Sequence, residues 1–216
     1  MERTSTPQYW NKDSILRVIN REIEESIATK QALKTELINE IAEAGTVIVT
    51  SLRAGGKLIA FGNGGSAADA QHIAAEFVGR YRAERQALAA IALTTDSSAL
   101  TAIGNDYGFE KIFSRQLEAI GRPGDVVLAL STSGNSSNVL RAIESARKLG
   151  MATIGLSGKS GGKMHGLVDI CLCVPSDSTP RVQEAHTLII HILTGIVESA
   201  FVAASGTGLI AASTRV

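Results

Sequence analysis

The chain has 216 residues, with 21 Lys plus Arg against 21 Asp plus Glu and a formal net charge of zero. That balance carries no electrostatic bias towards nucleic acid or anionic membranes, and 44% hydrophobic with 19% charged residues suits a globular fold with a full core. No run approaches roughly 18 uninterrupted apolar residues and Met1–Thr4 lacks a signal-peptide core, so no membrane association and a cytoplasmic protein are expected.

Residues 1–12 read as a tail without period, and Asp13 as a helix cap. Ile15, Ile19, Ile23 and Ile27 then recur every four residues, with Leu16 and Val18 beside them. A second helical run carries Leu37, Ile38, Ile41, Ala44, Val47, Ile48 and Leu52 on one face and stops at Gly55-Gly56. Both helices precede the first strand, which leaves the first of them little sheet to cover. Packing against other copies of the chain, in a helical bundle, is the expectation.

Strands are predicted at Leu58–Phe61, Ala89–Leu93, Val126–Leu130, Thr153–Leu156 and Ile170–Val174. Helices are predicted at 66–80, 97–103, 109–120, 136–149 and 162–166, with a last one from Pro180 to Val202. Short apolar runs separated by helices imply an α/β fold, a three-layer sandwich whose five-stranded parallel sheet is flanked by helices. Residues 13–202 read as one domain with its N-terminal helical extension, and 203–216 as a second tail.

The stretch Lys57 to Arg80 runs strand, glycine turn, helix. At Gly62-Asn63-Gly64-Gly65 the backbone can turn sharply and approach a ligand, and Ser66 is a plausible N-cap. On the helix His72 and Glu76 are four residues apart, on one face and about 6 Å apart along the axis. Such a pair can hold a metal ion or act in acid–base chemistry, although solvent-exposed pairs of this kind are common. Gly62-x-Gly64-x-x-Ala67 also fits a dinucleotide fingerprint, but the segment Arg80–Arg85, where a strand end with an acidic residue is required, is polar and basic.

The strand Val126–Leu130 leads into Ser131-Thr132-Ser133-Gly134-Asn135-Ser136-Ser137-Asn138 and then a helix. Hydroxyls at the carboxyl end of a parallel strand, followed by helix amides, make a phosphate cradle. The loop has no Lys, so it is not the nucleoside-triphosphate loop. On the last helix Gln183 and His191 lie about 12 Å apart along the axis and roughly 80° around it, within reach of one metal only near full extension or from different subunits. His186 lies on another face and reads as a packed histidine, and His165 carries no signal of its own. Cys171 and Cys173 read as two small buried side chains of a strand, without metal partners nearby.

The Gly-Asn-Gly-Gly-Ser-Ala turn at Gly62–Ala67, the Ser-Thr-Ser-Gly-Asn-Ser loop at Ser131–Ser136 and Arg181-Val182-Gln183-Glu184-x-His186 together resemble the sugar isomerase (SIS) domain, and more narrowly the sedoheptulose 7-phosphate, or phosphoheptose, isomerases. The resemblance covers about residues 13–202. It implies a cytoplasmic homotetramer with sites at subunit interfaces. The implied reaction, an entry step to nucleotide-activated heptose, turns sedoheptulose 7-phosphate into D-glycero-D-manno-heptose 7-phosphate. It places zinc on His72, Glu76, Gln183 and His191, and proton transfer through an enediol on Glu76 and His191. Ser131, Thr132, Ser133 and Ser136 would hold the phosphate. Asn63, Gly64, Gly65, Ser66, Glu76, Asn105, Asp106 and Gln183 would line the sugar, with Arg80 nearby. Some members carry an acidic residue where this chain has Pro180, so no role is transferred there.

Two other readings share the domain. A non-catalytic SIS protein that binds a replication-initiator partner lacks the catalytic pair that this chain keeps. An SIS isomerase of another sugar phosphate would share all three motifs.

Overall fold

In the computed structural model, which describes residues 11–204, five parallel strands carry helices on both faces. Helices α1 (Lys12–Glu36) and α2 (Ile38–Arg53) precede β1 (Leu58–Gly62) and α3 (Gly65–Val78). There follow β2 (Ala90–Ala92), α4 (Ser97–Tyr107), a 3-10 turn (Phe109–Lys111), α5 (Ser114–Ile120), β3 (Val126–Leu130) and α6 (Ser137–Lys148). Then come β4 (Ala152–Ser157), a second 3-10 turn (Gly162–Gly166), β5 (Ile170–Cys173) and α7 (Thr179–Ala204). The expected tails fall outside the described residues apart from Asn11, Lys12, Ala203 and Ala204. The first helix starts two residues early because Asn11, not Asp13, caps it, accepting from the Ser14 amide at 2.9 Å.

The strand order is β2-β1-β3-β4-β5, every pair parallel. Alternation along the strands divides the core in two. Leu58 and Ala60 of β1, with Val126, Leu128 and Leu130 of β3, meet α2, α3 and α7 on one face. Ile59, Phe61, Val127 and Ala129 meet α5 and α6 on the other, where the Phe61 and Phe113 rings stack at 5.4 Å. At the amino ends of the strands buried Asp125 accepts from the Lys57 and Arg122 amides and the Lys57 ammonium, which pins β1 to β3.

Two helices differ from expectation. α4 runs on to Tyr107 and so includes Asn105 and Asp106. The run 109–120 breaks into the 3-10 turn and α5, with Ile112 and Phe113 buried at the join. α7 is long and apolar enough to cross a membrane by composition. Here Val182, Ala185, Ile189, Ile190, Leu193 and Val197 instead close the core against the sheet and the helices beside it. Along α1 only Thr29 and Leu33 are buried, while Ile15, Leu16, Val18, Ile19, Ile23 and Ile27 stand 41–54% exposed. The first helix therefore presents an apolar face that the other described residues leave uncovered.

His186 of α7 is fully buried, its Nε2 donating to the Ser157 carbonyl at 3.2 Å while Nδ1 has no partner. Burial pushes its pKa down from 6.5 to about 4, against the opposing effect of that bond. Below the unfolded value the unfolded chain gains a proton that the folded one refuses. Stability should therefore fall by about 3 kcal/mol between pH 6.5 and pH 4, and no further on this account below that window. Urea unfolding at pH 7 and pH 4.5 checks this: His186→Gln should flatten the slope, and an unchanged slope refutes the assignment.

Candidate active site

The chain reverses direction of strand addition between β1 and β3: β2 lies on one side of this pair, β4 and β5 on the other. Open parallel sheets form their ligand crevice at such a switch, beyond the carboxyl ends of the strands. Both sequence motifs lie there. The turn after β1 depends on Gly64, whose φ of 56° a side chain would strain. Gly64 is also the helix cap; Ser66, expected to cap, lies inside α3, buried, with its Cβ against Gly62. A side chain at Gly65 would collide with Gln183, whose amide rests on the turn from α7.

The hydroxyl loop after β3 is bound to this turn by a reciprocal amide pair. Asn63 donates to Asn138 at 2.9 Å and Asn138 donates back at 2.8 Å. Within the loop the Ser131 hydroxyl lies 3.0 Å from Ser136 and 3.5 Å from Ser133. The first residue of α6 follows Ser136, whose side chain makes no capping bond, which leaves first-turn amides open to an anion. Thr132 and Ser133 line a cleft with Lys159, a cation that sequence reasoning overlooked because it follows the next strand.

Two turns into α3, about 10 Å along its axis, His72 and Glu76 meet His191 from α7. His72 Nε2 lies 3.3 Å from Glu76 Oε1 and 3.3 Å from His191 Nε2. The imidazoles meet edge to face with centroids 4.8 Å apart. One nitrogen cannot donate to both neighbours, whereas three donors converging at this spacing suit a cation: ligands about 2.1 Å from a tetrahedral zinc are about 3.3 Å apart. The donor set thus fits a metal ion, with no ion present in the structure. Gln183 lies on α7, two turns before His191, with its amide against Gly65 at the start of α3. The strain anticipated from its offset to His191 concerns only this fourth residue.

Three neighbours of the cluster went unpredicted. Asp69, one turn before His72, is buried and accepts from Thr187 at 3.0 Å. Burial raises its carboxyl above the ordinary value, opposed by the Thr187 bond and by the charges of His72 and His191. Tyr81 stacks on the His191 ring, centroids 5.6 Å apart. Glu198, only 5% exposed, accepts from the amides of Tyr81, Arg82 and Ala83 at 2.9–3.0 Å and lies 3.5 Å from Arg85. Burial acts to raise its carboxyl, but the three amides and Arg85 outweigh it and hold it low. Glu198 was detectable as the one charged residue in the apolar stretch Thr187–Val202. Asp69 and Tyr81 carried no sequence signal.

Other expected residues are not joined to this cluster within the chain. Arg80 is exposed beyond α3, 3.9 Å from Glu84. Asn105 and Asp106 are exposed on α4 and hydrogen bonded to one another at 2.7 Å. Asp96, the acid that follows β2, accepts from the Ala99 amide as the cap of α4.

Comparison with known proteins gives one consistent family. Residues 23–158 match the SIS domain. A phosphoheptose isomerase of Rhodospirillum rubrum is 61% identical over 160 residues, covering 74% of this chain and 85% of that protein. One of Roseiflexus sp. is 56% identical over 189 residues, 86% of this chain and 94% of the relative. The structure of phosphoheptose isomerase from Neisseria gonorrhoeae superimposes with a TM-score of 0.81 at 45% identity, over 86% of this chain and 99% of that one.

Proposed function

The chain belongs to the phosphoheptose isomerase family of SIS-domain proteins, and from that premise we propose that it converts sedoheptulose 7-phosphate into D-glycero-D-manno-heptose 7-phosphate. The observation that carries this reading is the His72–Glu76–His191 cluster, carried in part by the helix whose leading turn is tied to the hydroxyl loop through Asn63 and Asn138. A basic carboxylate and an imidazole suit a reaction that lifts a proton beside a carbonyl.

In this mechanism Ser131, Thr132, Ser133 and Ser136, with the α6 amides, anchor the phosphate. Binding energy remote from the reacting carbons then fixes C1 and C2 at the cluster. Asn63, Gly64, Gly65, Ser66 and Gln183 line the path between. Glu76 takes the proton from C1 of the ketose while His191 gives a proton to the C2 oxygen, which yields the enediol. The return of a proton to C2 and loss of the one on the C1 oxygen completes the aldose. Zinc held by His72, Glu76 and His191, with Gln183 as fourth ligand, would polarise the carbonyl and steady the negative charge. Tyr81 orients the His191 ring and Asp69 holds α3 to α7 behind it.

Arg80, Asn105 and Asp106 fit this reading as contributors to a neighbouring subunit's site. The uncovered face of α1 supplies the surface for a homotetramer, which would bury Ile15, Ile19 and Ile23 between subunits. Sedimentation at micromolar concentration should give four times the chain mass, and a monodisperse monomer removes both assignments. A phosphorylated substrate of this kind places the enzyme in the cytoplasm.

The direct test incubates the protein with sedoheptulose 7-phosphate in deuterated water and follows it by proton NMR. Aldose signals with deuterium at C2 are expected, since the transferred proton exchanges with solvent at the enediol. A folded, zinc-loaded protein that turns over no heptulose phosphate would shift the reading to another sugar phosphate or to the partner-binding role.

A further inference from the structure

The two cysteines are neither fully buried nor without partners, contrary to the expectation from their strand alone. On β5 the alternation turns Ile170 and Leu172 into one core and Cys171 and Cys173 to the opposite face. There the 3-10 turn Gly162–Gly166 lays His165 beside them. Cys173 Sγ lies 3.5 Å from Cys171 Sγ and 3.6 Å from His165 Nδ1, and all three ligand atoms lie within 4.8 Å of one another. Two sulfurs on one tetrahedral zinc are about 3.8 Å apart, and a sulfur and an imidazole nitrogen about 3.6 Å. The observed edges are close to these. A disulfide is the poorer use of the pair, because side chains two apart on one strand must distort the backbone to bridge.

From this geometry we infer that His165, Cys171 and Cys173 form a second metal site, for a thiophilic cation of the zinc class, separate from the His72–Glu76–His191 cluster. Its fourth position is open to solvent, since His165 is exposed. Binding releases the thiol protons and forms two metal–sulfur bonds and one metal–nitrogen bond, with no change of oxidation state.

Such a site would fasten more than its own ligands. The turn that carries His165 is keyed to the hydroxyl loop: Met164 donates to the Gly134 carbonyl at 3.0 Å and Lys163 to the Asn135 side chain at 3.1 Å. Backbone contact between Gly134 and Gly161 leaves no room for a Cβ on Gly134. A metal there would tie this turn to β5 and so stiffen the loop from behind.

The test titrates the reduced, metal-free full chain with Co2+ as a zinc surrogate. A thiolate-to-cobalt charge-transfer band is expected in the wild type and in His72→Ala, where the first cluster is disabled, and added Zn2+ should bleach it. The band should be lost in Cys171→Ser and in Cys173→Ser, each shown to be folded by circular dichroism, and weakened in His165→Ala. A folded wild type without the band overturns the assignment. So does a band that survives both serine variants, or one that disappears in His72→Ala.

Discussion

Glu76→Gln should retain the fold and lose isomerase activity by about 10²–10⁴-fold, the usual contribution of a positioned general base. The change is nearly isosteric, and Glu76 is half-buried on a helix that does not depend on its charge for packing. What goes is the acceptor for the C1 proton, together with one anionic donor 3.3 Å from His72. The two losses separate experimentally. If Glu76 acts chiefly as base, the variant keeps bound metal and substrate affinity while kcat falls and deuterium no longer enters C2. If it acts chiefly as a ligand, metal content falls in parallel and excess zinc restores part of the rate. His191→Asn should show a comparable kcat loss, since the proton on the C2 oxygen then has no donor. Full activity in a folded Glu76→Gln protein would remove the enediol assignment outright.

Much of this site was legible because it rests on short-range pattern. Apolar runs of four or five residues placed all five strands, since a strand covered on both faces must be apolar throughout. Gly64 was legible because only glycine takes its φ cheaply, and the His72–Glu76 spacing because i and i+4 share a helix face. What failed depended on contacts remote in sequence. Glu198 reads Tyr81 across 117 residues, and Asn63 reads Asn138 across 75. Local pattern carries no trace of either pairing. His165 was dismissed for the same reason: its glycine-rich surroundings suggested an idle loop, and those glycines are what let the turn pack against Gly134 and bring the imidazole to Cys173. The misplaced cap at Ser66 has a different origin. Both Gly64 and Ser66 are acceptable caps, and the side chain of Ser66 is buried only once Gly62 leaves it room.

Glu198→Ala should be the most destabilising single change near the site, by about 3–5 kcal/mol, because it strands a buried charge and three amide donors together. The Arg85 side chain is 1% exposed and its guanidinium donates to the carbonyls of Glu76, Phe77 and Gly79, closing the end of the helix that carries Glu76. Without Glu198 that cation stays buried and loses its counter-charge. Glu198→Gln is no rescue, since its amide nitrogen would point a donor at donors. The double change Arg85→Met with Glu198→Leu removes both charges and should recover the part of the loss due to the stranded cation, while the three amides stay without their acceptor. Urea unfolding of wild type, Arg85→Met, Glu198→Leu and the double variant closes the cycle, and near-additive losses would mean that the pair is not coupled. Activity adds an independent readout. The same carboxylate fixes the backbone of Tyr81, which stacks on His191, so the double variant should regain stability without regaining kcat. Recovery of both would reduce Glu198 to a structural clamp, and recovery of stability alone would make the loop it holds a positioning element for the proton-transfer residue.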